Sequence, residues 1–554
     1  MSGIALAVLT GIWLLAAFNA SFWARCFALM QDHPVFFALF VVAIWALTVF
    51  YLLILGNRWL LKPFLIANIF IAAAASYFHE TLGIIVDREM IQNTLNTTAN
   101  EAGALMTPEL IGYMLVFAVL PALLILAVRV THRPLLRSCL WHAGALAVTG
   151  GLFLVIAFGN YQYYSFTLKE SRGVRDVLHP IGPVRSVGKY VEMVRATRAM
   201  EFQPVALDAR KGAIRNRSGK PTLMVLVVGE TLRDANWGLS GYARDTTPEL
   251  RKRDVVNIAG VQTCGTSTAV SIPCMFSNLT REKFSYEAAR SRENLLDVLA
   301  RAGYSVEWWD ANTGDMGVAD RIPYTNYNHA SDPDNCTDKE CNDGILTKRL
   351  SETLPNIDRD TVIVMHQIGN HGPAYFERYP PDFARFLPEC RDPMVANCPR
   401  ESVVNAYDNA VAYTDLQLSR IIDLLDARTD LDTSLVYISD HGESLGEGGL
   451  YLHAAPYWIA PSEQTTVPMV LWMSAAFRKG MSVDYACLHK AQDAPVTHDH
   501  FFHTVLGVLD IQTSARNDAL DLTKPCKTAV HAGAAPSDAL GDRAGRVEMA
   551  HSSP

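Results

Sequence analysis

The chain has 554 residues, half of them hydrophobic and only 19% charged, with a formal net charge of −8. The length allows two or more domains, and so apolar a composition excludes a single ordinary soluble domain. A small negative balance over so long a chain also excludes the basic footprint of a nucleic-acid binder, so no nucleic-acid partner is expected.

The apolar residues are concentrated at the N-terminal end, where no Lys, Arg, Asp or Glu precedes Arg25. Further apolar runs follow at about 35–56, 63–78, 110–128 and 138–166. Each can cross a bilayer, the short 63–78 run by recruiting Leu60, Leu61 and a snorkelling Lys62. Five transmembrane helices are predicted. The alternative for the first run is a cleaved signal peptide, but it lacks a basic leading segment and four more spans follow it.

Arg58 and Lys62 lie between spans two and three, and Arg129, Arg133 and Arg137 between spans four and five, whereas the opposite loops carry Arg25 and Arg88. The excess of basic residues puts the first two loops in the cytoplasm. An odd number of spans then puts everything after the fifth outside it. The expected organisation is a transmembrane domain over 1–167, a basic connector over 168–220, a catalytic domain over 221–526 and a disordered tail over 527–554.

The extracytoplasmic loop 79–109 is mixed in composition and is expected to form short helices along the membrane surface. The connector has twelve Lys and Arg against five Asp and Glu. It reads as a solvated linker or as a contact for anionic lipid, and both readings stand.

From about 221, apolar runs at 223–230, 305–310, 361–368, 434–441 and 467–473 alternate with helical patterns such as ENLLDVLARAG. Continuous apolar strands separated by helices predict an α/β domain with a largely parallel sheet.

Eight of the ten cysteines fall in the exported part, six of them in close pairs: Cys264 and Cys274, Cys336 and Cys341, Cys390 and Cys398. An even count with local pairing in an oxidising compartment reads as disulfides. The alternative is a thiolate metal site, for which the chain has no Cys-x-x-Cys spacing. Cys487 and Cys526 pair by elimination. Cys26 and Cys139 lie in or beside spans and are expected to stay free.

The stretch CGTSTAVSIPC at 264–274 brackets a Gly-Thr-Ser-Thr run between two cysteines. Thr268 is the candidate nucleophile, and a hydroxyl needs a metal or a base to attack at neutral pH. Ligands in an open α/β sheet gather at the carboxyl ends of strands. Glu230 ends one buried run, and Asp440 and His441 end another. Any one of these alone reads as a helix cap or an ion pair. Together with Thr268 they make an oxygen and nitrogen set suited to Zn²⁺, with Mn²⁺ second. A helix starting at Thr268 would also offer its free amides to a phosphate. His371, in GNHGPAY, and His453, in GLYLHAAPYW, follow near the same sheet edge. Either could protonate a leaving oxygen, hold a phosphate or bind a second metal.

These motifs, VVGET (227–231), CGTSTAVSIPCMFS (264–277), HQIGNHGPAY (366–375), ISDHGESLGE (438–447) and GLYLHAAPYW (449–458), resemble the phosphoethanolamine transferases that modify lipid A. That family lies within the alkaline phosphatase/sulfatase superfamily and includes polymyxin-resistance enzymes. The resemblance implies a five-helix membrane domain followed by an alkaline-phosphatase-like α/β domain. It implies that Thr268 becomes phosphoethanolaminylated and that Glu230, Asp440, His441 and Thr268 bind zinc at one tight site, a second zinc being an option during turnover. It places His371 and His453 near the transferred group, and Asn93, Thr97 and Glu101 at the substrate. Their spacing of four would align that trio on one face of a helix.

The implied donor is phosphatidylethanolamine and the implied acceptor lipid A or lipopolysaccharide, in the periplasm of a Gram-negative inner membrane, with the enzyme a monomer. The chain departs from the family at its Cys-Lys-Gly-Val-Cys run. Asp315, Met316, Gly317, Val318 and Ala319 stand there, with Asn312 and Asp315 the polar groups nearby. The alternatives are transfer to core sugars or another periplasmic glycan, a sulfatase-like or phosphoglycerol-transferase activity, and a scaffold that has lost catalysis.

Overall fold

The computed structural model describes residues 1–55, 59–97, 99–131, 134–160, 164, 175–215, 219–328, 330–338 and 340–527. Of the tail expected over 527–554, Lys527 is described and bridges to Val483, and residues 528–554 lie outside the described residues.

The N-terminal part is helical: α1 (Gly3–Ala17), α2 (Ala20–Met30), α3 (Pro34–Ile54), α4 (Leu61–Leu82), α5 (Arg88–Asn96), α6 (Ala99–Leu105), α7 (Pro108–Met114), α8 (Leu120–Ala127) and α9 (Leu135–Gly159). Helices α7 and α8 form one span through a π-turn at Leu115–Val119. Pro121 follows that turn and has no N–H to donate to the preceding turn, so the ladder is locally offset.

Among the described residues four helices are long and apolar enough to cross a membrane, or five if the bent pair α1–α2 is one span. The first of the five expected spans is a helix pair bent by 75°. Asn19 makes the bend. Its Nδ2 donates to Leu14 O at 2.9 Å and to His179 O at 3.0 Å, and its Oδ1 accepts from His179 N at 2.8 Å. The Leu14 carbonyl near the end of α1, which also accepts from Phe18 N at 3.3 Å, is thus tied to a side chain that holds the chain beyond the last span. The connector contains a regular helix, α10 (Ile181–Ala199).

The C-terminal part is built on seven strands: β1 (Thr222–Gly229), β2 (Val256–Gln262), β3 (Ser305–Asp310), β4 (Tyr324–Asn326), β5 (Thr361–His366), β6 (Asp432–Ser439) and β7 (Thr466–Met473). Their order is β2–β7–β6–β1–β5–β3–β4. The pairs β1–β6, β1–β5, β3–β5 and β3–β4 are parallel, and β7 runs antiparallel to both its neighbours. The expected α/β sheet is thus mainly parallel, with an antiparallel β2–β7 edge. Strands β2 and β4 lie outside the apolar runs that predict strands.

The strand β1 shows why the sheet is stable. All eight residues are buried, with Met224, Leu226 and Val228 in one core and Leu223, Val225 and Val227 in the other. The first core is closed by α12 (Leu295–Arg301) and α14 (Asp499–Val508), the second by α13 (Arg400–Asp426). Helix α11 (Thr268–Met275) follows β2 and sits over the carboxyl ends of the central strands.

Disulfides join Cys264 to Cys274, Cys336 to Cys341, Cys390 to Cys398 and Cys487 to Cys526, while Cys26 and Cys139 are free.

Candidate active site

Parallel pairing puts Gly229 of β1 opposite Ser439 of β6. The next residues, Glu230 and Asp440, therefore leave the sheet side by side. Both are fully buried, as is His441. Thr231, with φ of +52°, turns the chain immediately after Glu230. A β-branched residue in the left-handed region is held there only by its surroundings. Tyr407 supplies them, its hydroxyl donating to Thr231 O at 2.6 Å and accepting from Arg233 N at 2.9 Å.

Four donor atoms converge. Thr268, the first residue of α11, places Oγ1 at 3.1 and 3.2 Å from the Glu230 carboxylate and 3.3 Å from His441 Nε2. His441 Nε2 lies 3.4 Å from Glu230 Oε1 and 3.3 Å from Asp440 Oδ2. A tetrahedral shell with bonds of about 2.0 Å has edges of roughly 3.3 Å. His441 Nδ1 lies 2.9 Å from Gly442 O, which fixes the proton there and turns the Nε2 lone pair to the centre. Asp440 Oδ1 accepts from Thr231 N and His441 N, whereas its buried Oδ2 has no hydrogen-bond partner. Glu230, Asp440 and His441 thus form a cluster able to hold a metal ion.

The electrostatics call for a cation. Burial and the neighbouring Glu230 charge push the Asp440 carboxyl well above the usual carboxylate range. Burial would also raise Glu230, but the neighbouring His366 holds it well below that range. Burial drops His441 to about 3, which keeps it a neutral ligand. A dication at the centre would let both carboxylates ionise.

Beneath Glu230 lies a support in which Asn312, one of the polar groups expected nearby, is joined by His366, Asp310 and Trp308, which no local sequence pattern marks. Asn312 Nδ2 donates to Glu230 Oε2 at 2.7 Å. His366, at the end of β5, sits between Glu230 Oε2 at 3.8 Å and Asp310 Oδ2 at 3.0 Å. Trp308 Nε1 donates to the same Asp310 oxygen at 2.9 Å. Burial opposes charge on His366, but Asp310 and Glu230 together raise it to about 10. The parallel register of β3 on β5, with Asp310 opposite His366, is the signal that could have found the pair.

Gly369 is wedged against this turn, at φ +52° with an added Cβ only 2.7 Å from Glu230 O. Gly369→Ala should destabilise the fold by about 2 kcal/mol and weaken metal retention, read by thermal melting and metal analysis. Unchanged melting and metal content would show that the wedge is unimportant.

His453 forms the second wall. Its Nδ1 lies 2.9 Å from Glu443 Oε2, and Tyr375 donates to Glu443 Oε1 at 2.7 Å. The His453 ring is 4.6 Å from that of His441 and 5.4 Å from that of His371. Leu452 and Ala454 flank it at φ +64° and +65°. Ala454 N donates to Thr266 O at 2.7 Å and Thr266 Oγ1 donates to Ala455 O at 2.7 Å, which ties this segment to the loop that carries Thr268.

A small pocket over Thr268 is lined by Asn93, Asn96, Thr97, Ala269, Thr313, Met316, His371 and His453. Two of the three loop residues expected at the substrate are therefore present there. They do not share one continuous helix with Glu101. Helix α5 ends at Asn96, with Thr97 at ψ 130° as its cap, and the chain restarts as α6. The Glu101 side chain lies outside the described residues. Asn96, Thr313 and Met316 are additional, and Asn96 Nδ2 lies 3.5 Å from Met316 Sδ.

Comparison with known proteins follows the same division. Residues 222–511 match the sulfatase family, and residues 44–194 match the family described as phosphoethanolamine transferase EptA/EptB. The phosphoethanolamine transferase EptA of Escherichia coli K12 is 39% identical over 474 residues, covering 85% of this chain and 86% of that protein. The phosphatidylethanolamine transferase Mcr-1 of Escherichia coli is 35% identical over 535 residues, covering 94% and 97%. The solved structure of the integral membrane protein lipooligosaccharide phosphoethanolamine transferase A from Neisseria meningitidis matches with a TM-score of 0.89 at 36% identity, covering 94% of this chain and 98% of that one.

Proposed function

The chain belongs to the EptA/EptB phosphoethanolamine transferase family, and from that premise we propose that it carries phosphoethanolamine from phosphatidylethanolamine to a phosphate of lipid A through a phosphothreonine at Thr268. The observation that carries this reading is the convergence of the Thr268 hydroxyl with Glu230, Asp440 and His441 on one buried centre.

The donor set suits zinc, which would be held by Glu230, Asp440, His441 and Thr268 and would supply Lewis acidity and a lowered hydroxyl pKa. Thr268 Oγ1 attacks the donor phosphorus, and the bond from phosphorus to the diacylglycerol oxygen breaks. That oxygen takes its proton from His371 or His453, which line the pocket. A phosphate oxygen of the acceptor then attacks the phosphothreonine, and Thr268 Oγ1 leaves. The amides of Thr268 and Ala269, at the start of α11, face no backbone acceptor and favour the anionic phosphoryl group.

Asn93 and Thr97 hold the donor headgroup, and Glu101 is assigned to its ammonium. The catalytic domain faces the periplasm of a Gram-negative inner membrane, and the enzyme acts as a monomer. Paired cysteines in that domain and basic residues at the opposite end of the bundle support this placement.

Lipid A mass spectrometry from cells with and without the protein tests the reading. Phosphoethanolamine-bearing lipid A should appear only with it, and adducts on core sugars alone would reassign the acceptor. Asn93→Ala should slow transfer about tenfold with metal content unchanged. Full activity in that variant would remove Asn93 from the donor site.

A further inference from the structure

At the other end of the membrane helices from the catalytic domain lies a cavity of about 1230 Å³, walled by α1, α3, α4, α8 and α9. It exceeds the roughly 1,000 Å³ upper range of small-molecule sites. Its depth is apolar, with Val8, Val49 and Val148 among the wall residues, and its mouth carries Lys62 and Arg129. No Asp or Glu lines it among the described residues.

Lys62 is held in place. Its Nζ donates to Leu126 O at 2.9 Å and to Val128 O at 2.7 Å, capping the last carbonyls of α8. Two of the three ammonium protons are used in this way, and neither Lys62 nor Arg129 has a carboxylate partner among the described residues. A cation at the edge of hydrocarbon needs a counter-charge, and a basic recess between transmembrane helices on the cytoplasmic side is suited to a lipid phosphate. Arg129, with Lys62, belongs to the loops that the positive-inside rule places there.

We infer that this cavity binds one anionic glycerophospholipid of the cytoplasmic leaflet, its phosphate at Lys62 and Arg129 and its acyl chains in the apolar cleft. The site is distinct from the donor pocket at Thr268, and its occupant is not consumed. The net charge of its lining favours an anionic over a zwitterionic headgroup.

The experiment is native mass spectrometry of the purified full chain, delipidated and titrated with phosphatidylglycerol, phosphatidylethanolamine or phosphatidylcholine. One phosphatidylglycerol should be retained at least fivefold more tightly than either zwitterionic lipid, and it should raise the melting temperature. Lys62→Gln also uncaps α8, so two milder variants are used. Arg129→Gln removes charge at the mouth. Gly144→Leu fills the cleft at a position where an added Cβ meets nothing within 4 Å. Loss of the retained phosphatidylglycerol by fivefold or more in either variant supports the site. Equal retention of the three lipids, or unchanged retention in both variants, overturns it.

Discussion

Thr268→Ala should abolish the covalent adduct and the transfer together, with a fall in rate on the order of 10⁴ or more. Thr266 Oγ1 is spent on Ala455 O, whereas Thr268 Oγ1 meets the Glu230 carboxylate and His441 Nε2. The fold should survive, because Thr268 is the first residue of α11 and the disulfide between Cys264 and Cys274 still closes its loop. Metal should be retained more weakly, since Glu230, Asp440 and His441 remain. Thr268→Ser keeps an oxygen at the same position and should recover part of the rate. Intact-protein mass spectrometry after incubation with phosphatidylethanolamine reads the adduct, and lipid A mass spectrometry reads the transfer. An adduct on the alanine variant would remove Thr268 from the reaction.

Stripping the metal should lower stability, and the loss should grow as the pH rises from about 6.5 to 9. Two groups set that sign. In the metal-free fold, Asp440 is held well above the usual carboxylate range by burial and by the Glu230 charge. A carboxyl with a raised folded-state value binds a proton that the unfolded chain releases, so its contribution is lost as the pH rises. His366, raised to about 10 by Asp310 and Glu230 against the effect of burial, acts in the same direction above its unfolded value of about 6.5. Each such group changes stability by about 1.4 kcal/mol per pH unit in its window. Below about 6.5 the buried neutral histidines oppose the trend, His441 near 3 and His498 near 4 both for reasons of burial, so the comparison belongs above it. Asp440→Asn should remove the response of the stripped protein to added zinc. No rise in melting temperature on adding zinc to the wild type would refute the metal assignment.

The candidate metal cluster of Glu230, Asp440 and His441 was legible in the sequence because it lies where buried strands stop. An apolar run ending in Glu230, and another ending in Asp440 and His441, mark the carboxyl edge of a parallel sheet without any knowledge of strand order. What supports those ligands was harder to read. His366 and Asp310 also end strands, but their pairing depends on β3 lying beside β5, which no local pattern encodes. Glu443 sits in a loop two residues past a ligand, and only the fold brings Tyr375 and His453 to it. The antiparallel direction of β7 was hidden because a strand buried on both faces looks the same read either way. The strand β4 is three exposed residues, too short to carry a period. The bend between α1 and α2 depends on Asn19 meeting His179, 160 residues away, so the apolar run alone reads as one span.

That Asn19 contact also fixes an alignment. Its amide reads the N–H and the C=O of one residue, as one strand reads its neighbour, yet it leaves no open sheet edge beside the bilayer. A slip of one residue toward the C-terminus would offer it Pro180, which has no N–H to give. The chain leaving the membrane bundle therefore meets it in a single register, set by a side chain that cannot accept the next residue along.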